Sequence, residues 1–276
     1  MLPNFSRFLK THASLKTKGD FKMLTLNLKK NTKWQKLCET IATAKWMDII
    51  GVLIVVAVAV SAGYATETLG DVAKWATAIG LAWLPFGLIS IGNTILSIMS
   101  TRLTGRMKYS GNVVGIINVV LSGAIDYILG NKAAIISYPV TFAIYVVALY
   151  VWKKYADKYQ ADLAAKPLTG TKKIITMTLI FAFSFIFSFG INWIGFKQFN
   201  ILFVLTWIVF ALSLISNILN AMKLSLQNSY WILYDLVQFI KAIVMGNWAN
   251  VGKYIYYIIS MIASWFYWNE RNPQEN

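Results

Sequence analysis

One stretch of the chain gathers most of the side chains able to handle a small molecule. Asn228-Ser229-Tyr230-Trp231-Ile232-Leu233-Tyr234-Asp235-Leu236-Val237-Gln238 combines amides, an indole, phenols and a carboxylate. At about 100° per residue, Asn228, Trp231, Asp235 and Gln238 share one helical face, with Tyr234 beside them. Such a stripe can stack a planar ring on Trp231 and hydrogen-bond its substituents through the two amides. Asp235 lies about 10 Å along the segment at ~1.5 Å per residue, deep among apolar neighbours. An acid in that position is a functional group by default, yet it also serves as an interhelical clamp bonded to an Asn or Tyr. Asn93, Asn118 and Asn217, with Asn220, lie in other apolar segments and are candidates for the same cavity or for helix–helix contacts. Tyr257 and Trp265 sit deeper in the last apolar segment than Trp268 does.

Other chemistries lack their residues. The chain has one His (His12) and one Cys (Cys38), both in the polar N-terminal stretch, where both read as idle. No P-loop, no metal-ligand spacing and no Ser/His/Asp set is present. The expectation is therefore no catalytic residue, no metal, no cofactor and no enzyme activity. Nor does any Arg ladder suggest a voltage sensor.

The elements that carry the stripe follow from composition. Of 276 residues, 57% are hydrophobic and 13% charged. Soluble domains carry about a quarter charged residues, so this chain has too little polar surface to stay in water. Crossing a bilayer core takes about 20 apolar residues. Eight stretches qualify, near 47–66, 74–100, 111–129, 133–152, 174–194, 200–222, 229–245 and 250–268. The fold class is thus an all-α integral membrane protein with eight transmembrane helices. Pro85 and Pro139 fall inside spans and are expected to kink them.

The net charge of +15 is distributed between the spans, a pattern of the membrane and not of nucleic-acid binding. Arg102, Arg106 and Lys108 follow the second span, and Lys153, Lys154, Lys158, Lys166, Lys172 and Lys173 follow the fourth. Lys223 and Arg271 follow the sixth and eighth. Lys and Arg collect on the cytoplasmic side, which places both termini there. The first 46 residues are basic and polar. They lack the early apolar region of a signal peptide and show no clean apolar face, so disorder is favoured over a surface helix.

The chain also repeats itself. Asn112 and Asn228, Ile116 and Ile232, Gly130 and Gly246, Asn131 and Asn247, Tyr138 and Tyr254, and Trp152 and Trp268 are each 116 residues apart. Upstream, Asn93 aligns with Asn217 if the first copy has a longer basic loop. The domains read as a tail 1–46, an extra helix 47–66, a three-helix unit 74–152, a linking helix 174–194, a second unit 200–268 and a tail 269–276. A single linking helix restores the parallel orientation of two three-helix copies, a plan that puts a substrate site between the halves. Trp152 and Trp268, at matching ends, are expected to anchor in the aromatic belt.

This order, with "YWILYD" and the terminal "WFYWNER", resembles the Pnu family of bacterial vitamin and nucleoside transporters, including PnuC-like nicotinamide riboside carriers. The resemblance covers roughly residues 70–270 and implies a 3+1+3 core similar to SWEET sugar transporters, some members having an extra N-terminal helix. The family's Trp-x-x-Trp motif would place its second Trp at Trp231 and an acid at Asp235. Asn228 stands where the first Trp belongs, trading one stacking wall for an amide. The resemblance implies facilitated diffusion through the inner membrane of a small-molecule substrate. Nicotinamide riboside is named first, then a deoxyribonucleoside, thiamine or riboflavin. It further implies trapping by a cytoplasmic kinase and a homo-oligomer such as a trimer. A proton-coupled carrier using Asp235, and a membrane scaffold that transports nothing, are the competing readings.

Overall fold

The computed structural model describes residues 33–159, 165, 168–196, 198–245 and 248–270, and among these all regular structure is helical. The helices are α1 (Lys33–Thr43), α2 (Lys45–Ser61), the one-turn α3 (Leu69–Val72) and α4 (Trp75–Ala78), α5 (Phe86–Gly105), α6 (Ser110–Ile128), α7 (Ala134–Tyr159), α8 (Gly170–Phe196), α9 (Ile201–Ala221), α10 (Gln227–Val244) and α11 (Trp248–Glu270).

Four of them, α6, α7, α8 and α9, are long and apolar enough to cross a bilayer, and α1 with α2 passes as a pair bent by 60°. The outward surface is apolar as well. Leu179 and Ile186 on α8 are 65% and 74% exposed, which in water would be a liability and in lipid is the expected face. The chain is an all-α, multi-pass membrane protein. In α5, α10 and α11 the apolar run is broken by Asn93 and Arg102, by Asn228, Asp235 and Lys241, and by Lys253. Those side chains turn inward.

Helix contacts close a ring. α5 packs on α6, α6 on α7, α7 on α9, α9 on α10, α10 on α11, and α11 returns to α5. α8 leans on α9 through Phe189, whose ring meets those of Phe203 and Trp207 at 5.5 and 5.3 Å. Trp207 Nε1 also donates to the Phe185 carbonyl at 2.9 Å.

Three expectations are corrected here. The second span does not begin at residue 74. Residues 64–85 form short turns, and a continuous helix starts only at Phe86, directly after Pro85. Proline has no N–H to give and restrains the residue before it, so Pro85 sets a helix start and not a kink. Pro139 does lie within α7, which continues past it. The basic N-terminal stretch is not wholly irregular: Lys33–Thr43 is helical, and Cys38 and Ala42 are buried against α11 and its neighbours. His12 lies outside the described residues.

The third correction concerns the two tryptophans. Neither faces lipid; both are fully buried. Trp152 Nε1 on α7 donates to the Asn220 carbonyl at the end of α9, at 2.7 Å. Trp268 Nε1 on α11 donates to the Gly105 carbonyl at the end of α5, at 2.9 Å. The indoles meet 5.6 Å apart. α7 thereby closes on α9, and α11 closes on α5.

The offset of 116 also governs the turns. Met107 and Lys223 both adopt left-handed backbone angles, φ 61° and 56°. After α5, Lys108 N–H bonds the Leu103 carbonyl at 2.9 Å; after α9, Leu224 N–H bonds the Leu219 carbonyl at 3.1 Å. Both helices thus end in the same αL reversal, at a cost of roughly 1–2 kcal/mol for a non-glycine residue. The connections 106–109 and 222–226 are nearly equal in length, so no longer loop separates the copies, and Asn217 corresponds to Thr101 instead of Asn93.

At Gly87 an added Cβ would sit 1.6 Å from the Tyr64 carbonyl oxygen, while its N–H donates to Glu67 at 2.9 Å. Gly87→Ala must push the 64–67 turn off α5. We expect a loss of about 1–3 kcal/mol, the range for overpacking, seen as a lower melting temperature in detergent.

Candidate functional site

The ring encloses a cavity of about 370 Å³, within the range of about 300–1,000 Å³ typical of small-molecule sites. At the end carrying Gly105, Lys223 and Arg102, the buried cluster of Met107, Trp152, Trp268 and Tyr267 seals it. At the opposite end, Asn131 is both exposed and part of the wall, so the cavity opens there.

α10 presents its polar stripe to this space, as 3.6-residue periodicity requires. Asn228, Trp231, Tyr234, Asp235 and Gln238 all line the cavity. The Trp231 and Tyr234 rings meet edge to face at 5.2 Å, which fixes the angle of the indole. Gln238 Nε2 donates to Tyr234 Oη at 2.9 Å. Asn228 is buried and makes one weak bond, from Nδ2 to the Ser225 carbonyl at 3.3 Å. Asp235 is 4% exposed and takes no hydrogen bond or ion pair from any described residue. Lys253, also in the wall, is the cation whose charge reaches it.

The other candidates divide. Asn118, Asn217 and Tyr257 line the cavity; Asn93 does not. Asn93 stands behind the wall, where its side-chain oxygen accepts from Asn118 Nδ2 at 2.8 Å and its own Nδ2 donates to Ser122 at 2.8 Å. It positions Asn118. Asn217 Nδ2 reaches Ser213 at 3.3 Å, leaving its Oδ1 buried without a partner. Tyr257 donates to Ser97 at 3.4 Å. Asn220 is mainly structural, donating to Asn112 Oδ1 at 2.8 Å across the α6–α9 seam. Trp265 is absent from the wall and packs on Phe266.

Sequence reading missed part of this lining. Asp126 lies near the open end, where Tyr138 Oη donates to it at 2.6 Å. Lys241 and Lys253 also contribute, as does Asn192 near the end of α8. Tyr138 and Tyr254 had a signal: they are a matched pair in the repeat and both reach the wall. The lysines had none, because each is a single cation near one end of an apolar stretch, with no patterned partner.

The cavity can therefore hold one planar, ring-bearing molecule, with an indole for its face, amides for its substituents and a carboxylate, without an ion pair among the described residues, for a cation or donor. No curated protein and no solved structure matches the chain. The family model described as nicotinamide mononucleotide transporter matches residues 87–270, which run from α5 to α11 and include every residue of the cavity wall. The chain belongs to this nicotinamide mononucleotide transporter family and is a membrane transporter.

Proposed function

We propose that the chain is a facilitator for nicotinamide riboside, which a cytoplasmic kinase phosphorylates and so traps. The observation that carries this reading is the buried Asp235 carboxylate, which takes no hydrogen bond or ion pair from any described residue, beside Trp231 in the cavity. The N-glycosylated pyridinium of nicotinamide riboside is a flat cation. It would stack on the indole, where a cation over Trp is favourable, and neutralise the carboxylate. Asn118, Asn217 and Asn228 would bond the carboxamide and the ribose hydroxyls. The family is named for a nicotinamide nucleotide, which supports the same ring chemistry.

In this reading the helices form a 3+1+3 core preceded by one extra span, with α8 as the single linking helix. The repeated turns at Met107 and Lys223 support the duplication. The basic end is cytoplasmic, both termini lie on that side of the inner membrane, and the structure is closed inward and open outward. A homo-oligomer, such as the trimer of the resemblance, would use the apolar outer faces.

A thermal-shift screen against nicotinamide riboside, thiamine, riboflavin and deoxyribonucleosides tests the reading. Nicotinamide riboside should stabilise the protein most, and no response to any of them in well-folded protein would remove the proposal. Trp231→Ala should weaken nicotinamide riboside binding about tenfold, since ring stacking is worth ~1–3 kcal/mol, with Trp231→Phe recovering part of it by calorimetry.

The same lone carboxylate also favours a second reading, a carrier in which Asp235 takes up a proton. Uptake into kinase-free vesicles separates the two. Uptake that survives an uncoupler leaves the facilitator; uptake that an uncoupler abolishes leaves the proton-coupled carrier.

A further inference from the structure

We propose that the bent α1–α2 segment is a latch on the transport cycle, docked while the basic end is closed and released when that end opens. The inference rests on the carrier reading above. The segment lies outside residues 87–270, so it is an addition to the part shared with the family.

Met47 and Val55 pack on Ile98 and Tyr254, and Tyr256 Oη donates to the Met47 carbonyl at 2.7 Å, but the bend itself is held by charge. Arg102 in the last turn of α5 and Arg106 directly after it both enter the bend. Arg102 Nε donates to Asp48 Oδ1 at 2.7 Å, and its Nη2 donates to the Ile41 and Ala44 carbonyls at 2.7 and 3.1 Å. Arg106 Nη2 donates to both Asp48 oxygens at 2.6 Å and to the Ala44 carbonyl at 3.2 Å. Guanidinium groups thus occupy the carbonyl end of α1, where the helix dipole is negative, and the carboxylate in the first turn of α2.

The arrangement is incomplete in a telling way. Two guanidiniums face one carboxylate, and Arg102 Nη1 and Arg106 Nε are buried without partners. Buried donors left unpaired cost free energy, which water repays once the bend lifts. A permanent joint would satisfy them; a releasable one need not.

The inner face of α1 rests on the seal itself. Cys38 and Ala42 belong to the same buried cluster as Met107, Trp152, Ala263 and Trp268. The two indoles and the inner face of α1 share one buried cluster, and the bend that follows α1 is held by Arg102 and Arg106. Opening the basic end and lifting the bend are one event.

Cys38 is the chain's only cysteine and is 2% exposed, so its alkylation reports release. In proteoliposomes, labelling by a membrane-permeant maleimide would be followed together with exchange of radiolabelled nicotinamide riboside. In the native protein, substrate on both sides should speed Cys38 labelling severalfold, because cycling opens the basic end. Asp48→Asn should raise labelling about tenfold and speed exchange severalfold. Native labelling indifferent to substrate, or Asp48→Asn protein that labels faster yet exchanges at the native rate, overturns the latch alone. A native protein that exchanges no nicotinamide riboside overturns the carrier reading and the latch with it.

Discussion

Replacing Asp235 with asparagine should weaken nicotinamide riboside binding at least about 30-fold while making the empty protein more stable. The two effects have opposite signs for one reason. Asp235 is 4% exposed and has no hydrogen-bond partner among the described residues, and Lys253 reaches it by charge alone, so the empty cavity holds a carboxylate that is only partly compensated. The shape-matched amide removes that burden, a gain visible as a higher melting temperature. The bound pyridinium then loses its counter-charge, and truncating one side of a buried charge pair costs about 2 kcal/mol or more. An uncharged deoxyribonucleoside, which never used the charge, should bind the variant nearly as well as the native protein. Isothermal calorimetry with both ligands, alongside thermal unfolding, decides the point. A variant that melts earlier and keeps its affinity would make Asp235 an interhelical clamp instead.

Trp152→Ala should be the most damaging single change to stability, at about 3–5 kcal/mol, the usual cost of removing a buried aromatic ring. The side chain is fully buried, bonds the Asn220 carbonyl at 2.7 Å, packs on Trp268 and lies 5.1 Å beneath the Lys223 ammonium. Its removal leaves a void and exposes a buried cation to poorer company. Trp152→Phe keeps most of the packing and loses the Nε1 bond, so a loss nearer 1 kcal/mol is expected. Thermal unfolding of the two variants in detergent would order them. Equal, small losses would return Trp152 to a surface anchor.

The starts of helices expected at residues 111, 133, 174, 200, 229 and 250 were legible to within about four residues, because helical and apolar periodicity is a local property. The stripe on α10 was legible for the same reason: its members lie three to four residues apart on one helix. What failed was everything set by a distant partner. Arg102, Arg106 and Lys223 were counted as cations marking a membrane side. Arg102 and Lys223 are nearly inaccessible, and both arginines are held by a carboxylate more than fifty residues away. The tryptophans followed the same logic, since a Trp at a span end looks identical whether it meets lipid or another Trp. The break at Pro85 was readable in principle, but hydropathy averaging passed over it. Asn93 was placed with the binding residues because its type fits. Only geometry shows that it holds Asn118 from behind.

The crossed tryptophan contacts also bear on how the polypeptide is made. The Gly105 carbonyl waits for Trp268, 163 residues later, and until then the early helices lack their closing partner. During synthesis the end of α5 must stay unfinished until Trp268 has left the ribosome. A transcript cut short before Trp268 would therefore yield a product lacking its seam, open to membrane quality control although most of its helices had already inserted.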